Sequence, residues 1–236
     1  MSKTNGMESS SMDFEFMALN EALNYRRALI REFRPNLLGK VIEIGSGIGQ
    51  MTELLGRIPS IRFLQCIDPE RSFCNKLTSR LPHQSVICGT IRDVKSTDWD
   101  AIVSINVLEH IEADQDELAL YYRLLKNKNG TLNLFVPARP EIFAQIDEDF
   151  GHFRRYTKKD IIKKIENAGF KIKKIRYYNF AGYFAWWMNF CILKKRIFEP
   201  SKVRFFDRFI FPMVNFVESS GLYPPIGQSL LVMAQV

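Results

Sequence analysis

The stretch that decides the fold reads VIEIGSGIG and covers residues 41–49. Its first half is rich in β-branched residues, which predicts a strand, and its glycines predict a tight turn where the backbone can approach a ligand closely. A dinucleotide fingerprint of the form G-x-G-x-x-G would require glycine at position 50, which is Gln50, and a P-loop would require a GK[ST] ending. The stretch instead has the form E-x-G-x-G-x-G, beginning at Glu43.

Strand-like and helix-like segments alternate along the rest of the chain. The predicted strands are 40–44, 61–67, 85–88, 99–105, 131–136, 171–177 and 229–235, and the predicted helices are 14–33, 50–57, 72–81, 116–126 and 157–168. This alternation predicts an α/β fold, a Rossmann-like, doubly wound, seven-stranded and mainly parallel sheet with helices on both faces. Ligands bind such sheets at the carboxyl ends of the strands.

An acidic residue follows the second predicted strand at a spacing suited to a nucleotide site. Asp68 lies 23 residues after Gly45. A carboxylate at the end of this strand can accept hydrogen bonds from both hydroxyls of a ribose. The alternative is that Asp68 is a turn residue, because Pro69 follows it.

Four segments in order resemble the motifs of class I S-adenosylmethionine-dependent methyltransferases. They are residues 43–49, Asp68, residues 99–111 (WDAIVSINVLEHI) and residues 124–137 (LLKNKNGTLNLFVP). The resemblance extends from about Gly39 to Phe170 and covers over half of the chain. It implies that S-adenosylmethionine is the cofactor.

The resemblance also implies which residues contact this cofactor. Those expected around its methionine end are Glu43, Gly45, Gly47 and Gly49. Asp68 is expected at the ribose, and Asn106, just past the fourth strand, is expected near the sulfonium. The chain departs from the family pattern after the third strand, where Thr90 stands in place of a common acidic residue. Thr90, or the backbone of Ile91, is expected near the adenine.

The histidine of the segment GHFRRY, residues 151–156, is the predicted catalytic residue. The segment resembles the GHxRRY segment of bacterial methyltransferases, some of which are encoded with glycan or lipid biosynthesis genes. His152 stands between the acidic residues 147–149 and two arginines, which suits proton transfer or the binding of an anionic substrate. The alternative is a structural loop in which Arg154 and Arg155 pair with residues 147–149.

A metal is not expected. Glu109 and His110 resemble a metal-binding patch of the ubiquinone-type O-methyltransferases, but Asn106 stands where such a site would need a further carboxylate. Two ligands do not form a magnesium site. The expected role of His110 is that of a helix-start histidine packed beneath the cofactor.

Residues 178–227 interrupt the alternation and are interpreted as an aromatic, basic insertion between the last two strands. Residues 177–193 carry no charge, yet they are too short to span a bilayer. Three interpretations stay open: a lid over the active site, a peripheral membrane contact through residues 178–216, or an oligomer interface. Residues 151–236 hold 16 Lys and Arg against 5 Asp and Glu, a net charge of +11, so this half suits an anionic partner.

The expected organisation is an N-terminal tail and helix (1–38), a cofactor-binding core (39–177), an aromatic basic cap (178–227) and a final core strand (228–236). The four cysteines lack CxxC spacing, and the N-terminus lacks a signal peptide pattern, so the expected location is the cytoplasm or the inner face of the membrane. We predict methylation of a small-molecule or lipid- or glycan-linked acceptor, at oxygen rather than nitrogen. The alternatives are a non-catalytic cofactor-binding protein and an RNA methyltransferase, although the clustering of the aromatics disfavours nucleic acid.

Overall fold

A computed structural model describes residues 20–197 and 199–236 of the chain. The strands are β1 (Gly39–Ile44), β2 (Ile61–Asp68), β3 (Ser85–Cys88), β4 (Ala101–Ile105), β5 (Thr131–Pro137), β6 (Lys171–Tyr178) and β7 (Ser229–Gln235). The helices are α1 (Leu23–Phe33), α2 (Thr52–Leu55), α3 (Arg71–Arg80), α4 (Asp114–Leu125), α5 (Gln145–Asp149), α6 (Lys158–Asn167), α7 (Phe180–Trp186), α8 (Pro200–Phe205) and α9 (Phe211–Ser219). One π-helical segment, Trp187–Ile192, continues α7, and another, Phe206–Ile210, joins α8 to α9.

The seven strands form one sheet in the order β3-β2-β1-β4-β5-β7-β6. Strands β1 to β5 pair in parallel, whereas β7 runs antiparallel to both β5 and β6. The predicted mainly parallel, seven-stranded Rossmann-like sheet is therefore confirmed. The chain leaves β1 toward β2 on one side, and β4 lies on the other side of β1. This arrangement creates a crevice at the carboxyl ends of β1 and β4, where doubly wound sheets bind their ligands.

Alternate residues of the central strands enter two separate hydrophobic clusters, one on each face of the sheet. Ile42 and Ile102 are fully buried in the first cluster, with residues of α4 and α6. Val41 and Val103 are fully buried in the second, with residues of α1 and α3. Because both faces are covered, the strands carry nearly continuous apolar runs, as expected of a buried parallel sheet.

Several boundaries differ from the predictions. The helix expected over 14–33 is interrupted at Ala22, since Asn20 and Glu21 are helical and α1 begins at Leu23; its residues 14–19 lie outside the described residues. The helix expected over 50–57 is only the single turn α2. Helix α5 was not predicted, because its polar sequence QIDED shows no apolar periodicity. Helix α6 is capped by Thr157, whose hydroxyl accepts a hydrogen bond from the Asp160 backbone N–H at 3.1 Å.

The aromatic, basic insertion (residues 178–227) packs onto the core through two buried acidic side chains. Asp207 accepts hydrogen bonds from the backbone N–H groups of Asn24 and Tyr25, at 2.9 and 2.8 Å, and so caps the start of α1. Glu218 accepts one from Arg176 of β6 at 3.0 Å. Among the residues described, no helix has the length and apolar character needed to cross a membrane. The four domain boundaries proposed from the sequence stay a prediction.

Candidate active site

The glycine-rich turn after β1 has a left-handed backbone at all three of its glycines. Gly45, Gly47 and Gly49 have φ values of +69°, +51° and +86°. A Cβ atom at Gly45 would lie 2.3 Å from Cγ2 of Val107, and one at Gly49 would lie 3.1 Å from Cγ of Leu77. Glycine is therefore required at Gly45 by both conformation and space. The turn brings the start of α2 and the segment after β4 close together.

Asp68 lies at the end of β2 beside this turn, as expected. Its Oδ2 accepts a hydrogen bond from the Gly47 backbone N–H at 2.7 Å, and its Oδ1 accepts one from Glu70 at 2.9 Å. Burial raises the pKa of Asp68, against the effect of these two hydrogen bonds. Each carboxylate oxygen carries two lone pairs, so the side chain can hold the turn and still accept two ribose hydroxyls. The residues present thus fit the ribose of the cofactor.

Glu43 points beneath the turn rather than into a cavity. It is almost fully buried, and its Oε2 accepts a hydrogen bond from the Thr52 hydroxyl of α2 at 2.6 Å. The Cys66 thiol of β2 lies 3.5 Å from the same oxygen. Burial raises the pKa of Glu43 to about 7. In the described residues this side chain therefore ties β1, β2 and α2 together under the glycines, and a contact with the methionine end of the cofactor stays a prediction.

Thr90 lies on an exposed 3₁₀ turn, Ile91–Asp93, directly after β3. Its hydroxyl accepts a hydrogen bond from the Arg92 backbone N–H at 3.3 Å, and its own backbone N–H donates to Asp93 at 2.8 Å. The Thr90 side chain is thus engaged in a capping box of its own turn. Its position at the carboxyl edge of the sheet is the expected one, and its role at the adenine stays a prediction.

Asn106 follows β4 with a left-handed backbone, φ +52°, and its N–H donates to the Phe135 carbonyl of β5 at 2.9 Å. It lines a cavity of about 540 Å³ at the carboxyl edge of β4 and β5. The other walls come from the core, from the segment around His152, from α7 and α8, and from the two π-helical segments. The lining includes Tyr25, Glu109, Pro137, Phe150, Arg155, Trp186, Phe190, Val203, Phe206, Ile210 and Ser229. The cavity is a largely apolar space beside the residue expected near the sulfonium.

His152 lies in the wall of this cavity, held by a buried carboxylate that the sequence analysis did not single out. Its Nδ1 is 3.0 Å from Oδ1 of Asp147. The same carboxylate accepts from Nε of Arg155 at 3.0 and 3.1 Å. Burial opposes ionisation of Asp147, but the hydrogen bond from His152 and the Arg155 guanidinium outweigh it and hold its pKa below the ordinary value. A carboxylate that orients an imidazole is the arrangement of a general base.

The two arginines after His152 have separate partners. Arg155 pairs with Asp147, as the structural alternative expected, and it also lies over the Trp186 ring, 4.3 Å from its centroid. Arg154 does not pair with residues 147–149; its Nη1 lies 2.8 Å from Oδ2 of Asp114 in α4. Because both guanidiniums are matched by carboxylates, the arrangement suits proton transfer better than the binding of an anionic substrate.

His110 and Glu109 lie beside His152, which the sequence did not indicate. The two imidazole rings are 4.6 Å apart between centroids, in an edge-to-face arrangement. Burial, and then the neighbouring His152, lower the pKa of His110 to about 4, so this ring is neutral at pH 7. Ligand atoms of Glu109, His110 and His152 all lie within 4.8 Å of one another. The expectation of no metal rested on only two available ligands, and the fold supplies a third.

Comparisons with known proteins bear on the family and the fold. Residues 42–132 match a family described as a methyltransferase domain. No curated protein matches the chain significantly. Among solved structures, an S-adenosylmethionine-dependent methyltransferase from Archaeoglobus fulgidus is 16% identical, with a TM-score of 0.59, and the match covers 89% of this chain and 92% of that one.

Two further solved structures share the fold. One from Mesorhizobium loti, also an S-adenosylmethionine-dependent methyltransferase, is 12% identical with a TM-score of 0.61, covering 87% of this chain and 95% of that one. A phosphoethanolamine N-methyltransferase from Haemonchus contortus, in complex with S-adenosylmethionine, is 14% identical with a TM-score of 0.63, covering 99% of this chain and 58% of that one. Residues 42–132 therefore match a methyltransferase-domain family, and the chain shares the fold of solved S-adenosylmethionine-dependent methyltransferases.

Proposed function

We propose that the protein methylates a hydroxyl group of a small-molecule or lipid- or glycan-linked acceptor, with His152 as general base. The observation that carries this proposal is the pair of His152 and the buried Asp147 in the wall of a largely apolar cavity. The cavity begins beside Asn106, the residue that the family resemblance puts near the reacting sulfonium. In this proposal the base His152, the cavity that holds the acceptor and the reacting sulfonium of the cofactor are adjacent.

The cofactor contacts belong to the same proposal. When bound, S-adenosylmethionine would supply an electrophilic methyl carbon, with the neutral thioether of the cofactor as the leaving group. Asp68 accepts the ribose hydroxyls, and the turn of Gly45, Gly47 and Gly49 lets the backbone approach the methionine end. Asn106 is the residue expected near the sulfonium. The protein's main tasks are to align the acceptor and to exclude water from the cavity.

His152 takes the proton of the acceptor hydroxyl. With Nδ1 donating to Asp147, Nε2 is the nitrogen that accepts a proton, and the resulting imidazolium is stabilised by the Asp147 carboxylate. Arg155 keeps Asp147 ionised and in place, since its Nε donates to both carboxylate oxygens and its Nη2 lies 2.9 Å from Oδ1. His110 stays neutral because of its low pKa, so it does not compete for the proton at pH 7.

The cavity favours an acceptor with an apolar body. Aromatic and aliphatic side chains form most of its wall, among them Phe150, Trp186, Phe190 and Phe206. The cations of its lining are each paired with a carboxylate, Arg155 with Asp147, and Lys195 and Lys202 with Glu199. This composition suits a lipid-linked or aromatic hydroxyl compound. Peripheral membrane contact through residues 178–216 is part of the same proposal.

The proposal is tested by transfer of a radiolabelled methyl group from S-adenosylmethionine. The purified protein is incubated with the lipid, the water-soluble and the RNA fractions of cells that express it. We expect label in the lipid or water-soluble fraction, and a His152→Ala variant should lose about 10²- to 10⁴-fold in turnover with unchanged cofactor affinity. The exposed His83 provides the matched control, since His83→Ala should keep full activity.

Other outcomes would overturn the proposal. Full turnover of the His152→Ala variant would assign His152 a structural role. Label only in RNA would make the protein an RNA methyltransferase. Cofactor binding without transfer to any fraction would indicate the non-catalytic alternative.

A further inference from the structure

The helical run from α8 through α9 has its apolar side on the outside. Phe205, Phe209, Met213 and Phe216 follow one another at intervals of four, four and three residues, and they are 58%, 55%, 71% and 74% exposed. The opposite side is formed by Asp207, Phe211, Val214 and Glu218, all of which are buried against the core. A helical run this apolar on its solvent side lacks a partner that would cover it.

A second exposed apolar group lies on α7 and its π-helical continuation. It consists of Phe184, Trp187, Met188, Ile192 and Leu193, each at least 40% exposed. We call these five residues, together with Phe205, Phe209, Met213 and Phe216, the apolar face. Aromatic and methionine side chains of this kind partition into the interfacial zone of a bilayer.

The charges next to the apolar face are positive. Residues 194–208 include the cations Lys194, Lys195, Arg196, Lys202, Arg204 and Arg208. Three solvent-accessible carboxylates pair with them: Glu199 with Lys195 and Lys202, Asp149 with Arg196, and Glu21 with Arg204. Asp207 and Glu218 are buried against the core, so six cations stand against three accessible carboxylates. Cations beside an apolar surface are attracted to the anionic headgroups of a membrane.

The cavity lies between the two parts of the apolar face. Ala185 and Phe190, from α7 and its continuation, line it on one side, and Val203, Phe206 and Ile210 line it on the other. Phe205 and Phe206 both line the cavity, and Phe205 is also largely exposed to solvent. A molecule whose apolar part rests in a bilayer could therefore reach the cavity between α7 and α8 without crossing water.

We propose that the apolar face docks on an anionic bilayer and that the acceptor enters the cavity from that membrane. The membrane contact stands independently of the reaction, while the entry of the acceptor rests on the proposed function. A second copy of the chain fits the same face less well, because a two-fold contact would bring the same cations of each copy against one another. An anionic lipid surface covers the apolar side chains and attracts the neighbouring cations at the same time.

The test is co-sedimentation of the full chain with vesicles of phosphatidylcholine alone and of phosphatidylcholine with one third phosphatidylglycerol. We expect strong binding to the anionic vesicles, and at least tenfold weaker binding to the neutral ones or in 0.5 M NaCl. The double variant F209D/F216D should lose at least tenfold in binding to anionic vesicles. Neither side chain lines the cavity, so its affinity for S-adenosylmethionine should be unchanged.

The matched control is Leu38→Asp, which places the same charge at another exposed apolar residue, 50% accessible and outside the apolar face. This variant should bind vesicles like the wild type. Wild-type protein that stays in the supernatant with anionic vesicles would overturn the proposal, as would equal binding by F209D/F216D. A dimer in solution that F209D/F216D converts to a monomer, without vesicle binding, would assign the face to self-association. Vesicle binding needs no turnover, so its failure is distinguishable from failure of methyl transfer.

Discussion

The buried carboxyl of Glu43 predicts a specific pH dependence of stability. Its ordinary pKa is near 4.5, and burial raises it to about 7 in the folded chain. Between these values the unfolded chain releases the proton while the folded chain keeps it. Stability from this group is therefore fully present below pH 4.5 and is lost as the pH rises through 7.

The size of the effect follows from the two pKa values. The whole difference corresponds to about 3 kcal/mol of unfolding free energy. About 2 kcal/mol of it should be lost between pH 5.5 and pH 8. Glu43→Gln keeps the shape of the side chain and a carbonyl oxygen for the Thr52 hydroxyl, which donates at 2.6 Å in the wild type. The variant carries no titrating group at this position, so its contribution does not change with pH.

The measurement is urea unfolding of the wild type and of Glu43→Gln at pH 5.5, 6.5, 7.5 and 8. We expect the variant to gain about 2 kcal/mol relative to the wild type across this range. The difference in unfolding free energy between the two proteins at each pH cancels the contributions of other groups that titrate in the same pH range. Glu166→Gln, at an exposed position of α6, is the control and should show no such trend. A difference between wild type and Glu43→Gln that stays constant with pH would refute the assignment of a raised pKa to this carboxyl.

Three further predictions concern the cofactor, the fold and metal ions. Asp68→Ala should weaken S-adenosylmethionine binding at least tenfold in calorimetry, since hydrogen bonds to a charged acceptor contribute about 1.5–3 kcal/mol each; unchanged affinity would remove the ribose role. Asp207→Ala should lower the unfolding free energy by about 1–2 kcal/mol in urea, because α1 loses its cap; no change would mean that water replaces it. If His152 is the base, EDTA should leave methyl transfer unchanged. Zn²⁺ should inhibit it by binding Glu109, His110 and His152, whereas a reaction that requires Zn²⁺ would contradict the base role.

Local sequence patterns were enough to predict most of the fold, the glycine-rich turn after β1 and the position of Asp68. The β-branched run and glycines of residues 41–49 require a strand followed by a left-handed turn, whatever the rest of the chain does. Asp68 was predictable because it ends a strand whose neighbour ends at the glycines, and parallel strands bring their carboxyl ends to one edge. Sequence alone placed β5 and β7 well, since their apolar character is nearly continuous.

The direction of a side chain was harder to predict than its position. The Glu43 carboxyl lies between Thr52 and Cys66, a polar pair that β2 and α2 bring together, and its expected contact with the methionine end of the cofactor stays a prediction. Arg154 was weighed as a partner of residues 147–149, but Asp114, 40 residues away in the sequence, accepts its ion pair. These partners are set by packing between elements, which sequence spacing does not encode.

The sequence by itself determined the sheet, the glycine turn and the carboxylate at the end of β2, because each depends on residue type and on periodicity along a single element. Only the tertiary structure decided that Asp147 holds His152, that Glu109 and His110 lie beside it, and that Asp207 caps a helix 183 residues earlier. It also decided that the aromatic segment buries its acidic side and exposes its apolar side. Contacts between distant residues depend on how the layers pack, because the free energy of burial is shared by the whole core rather than by any one segment.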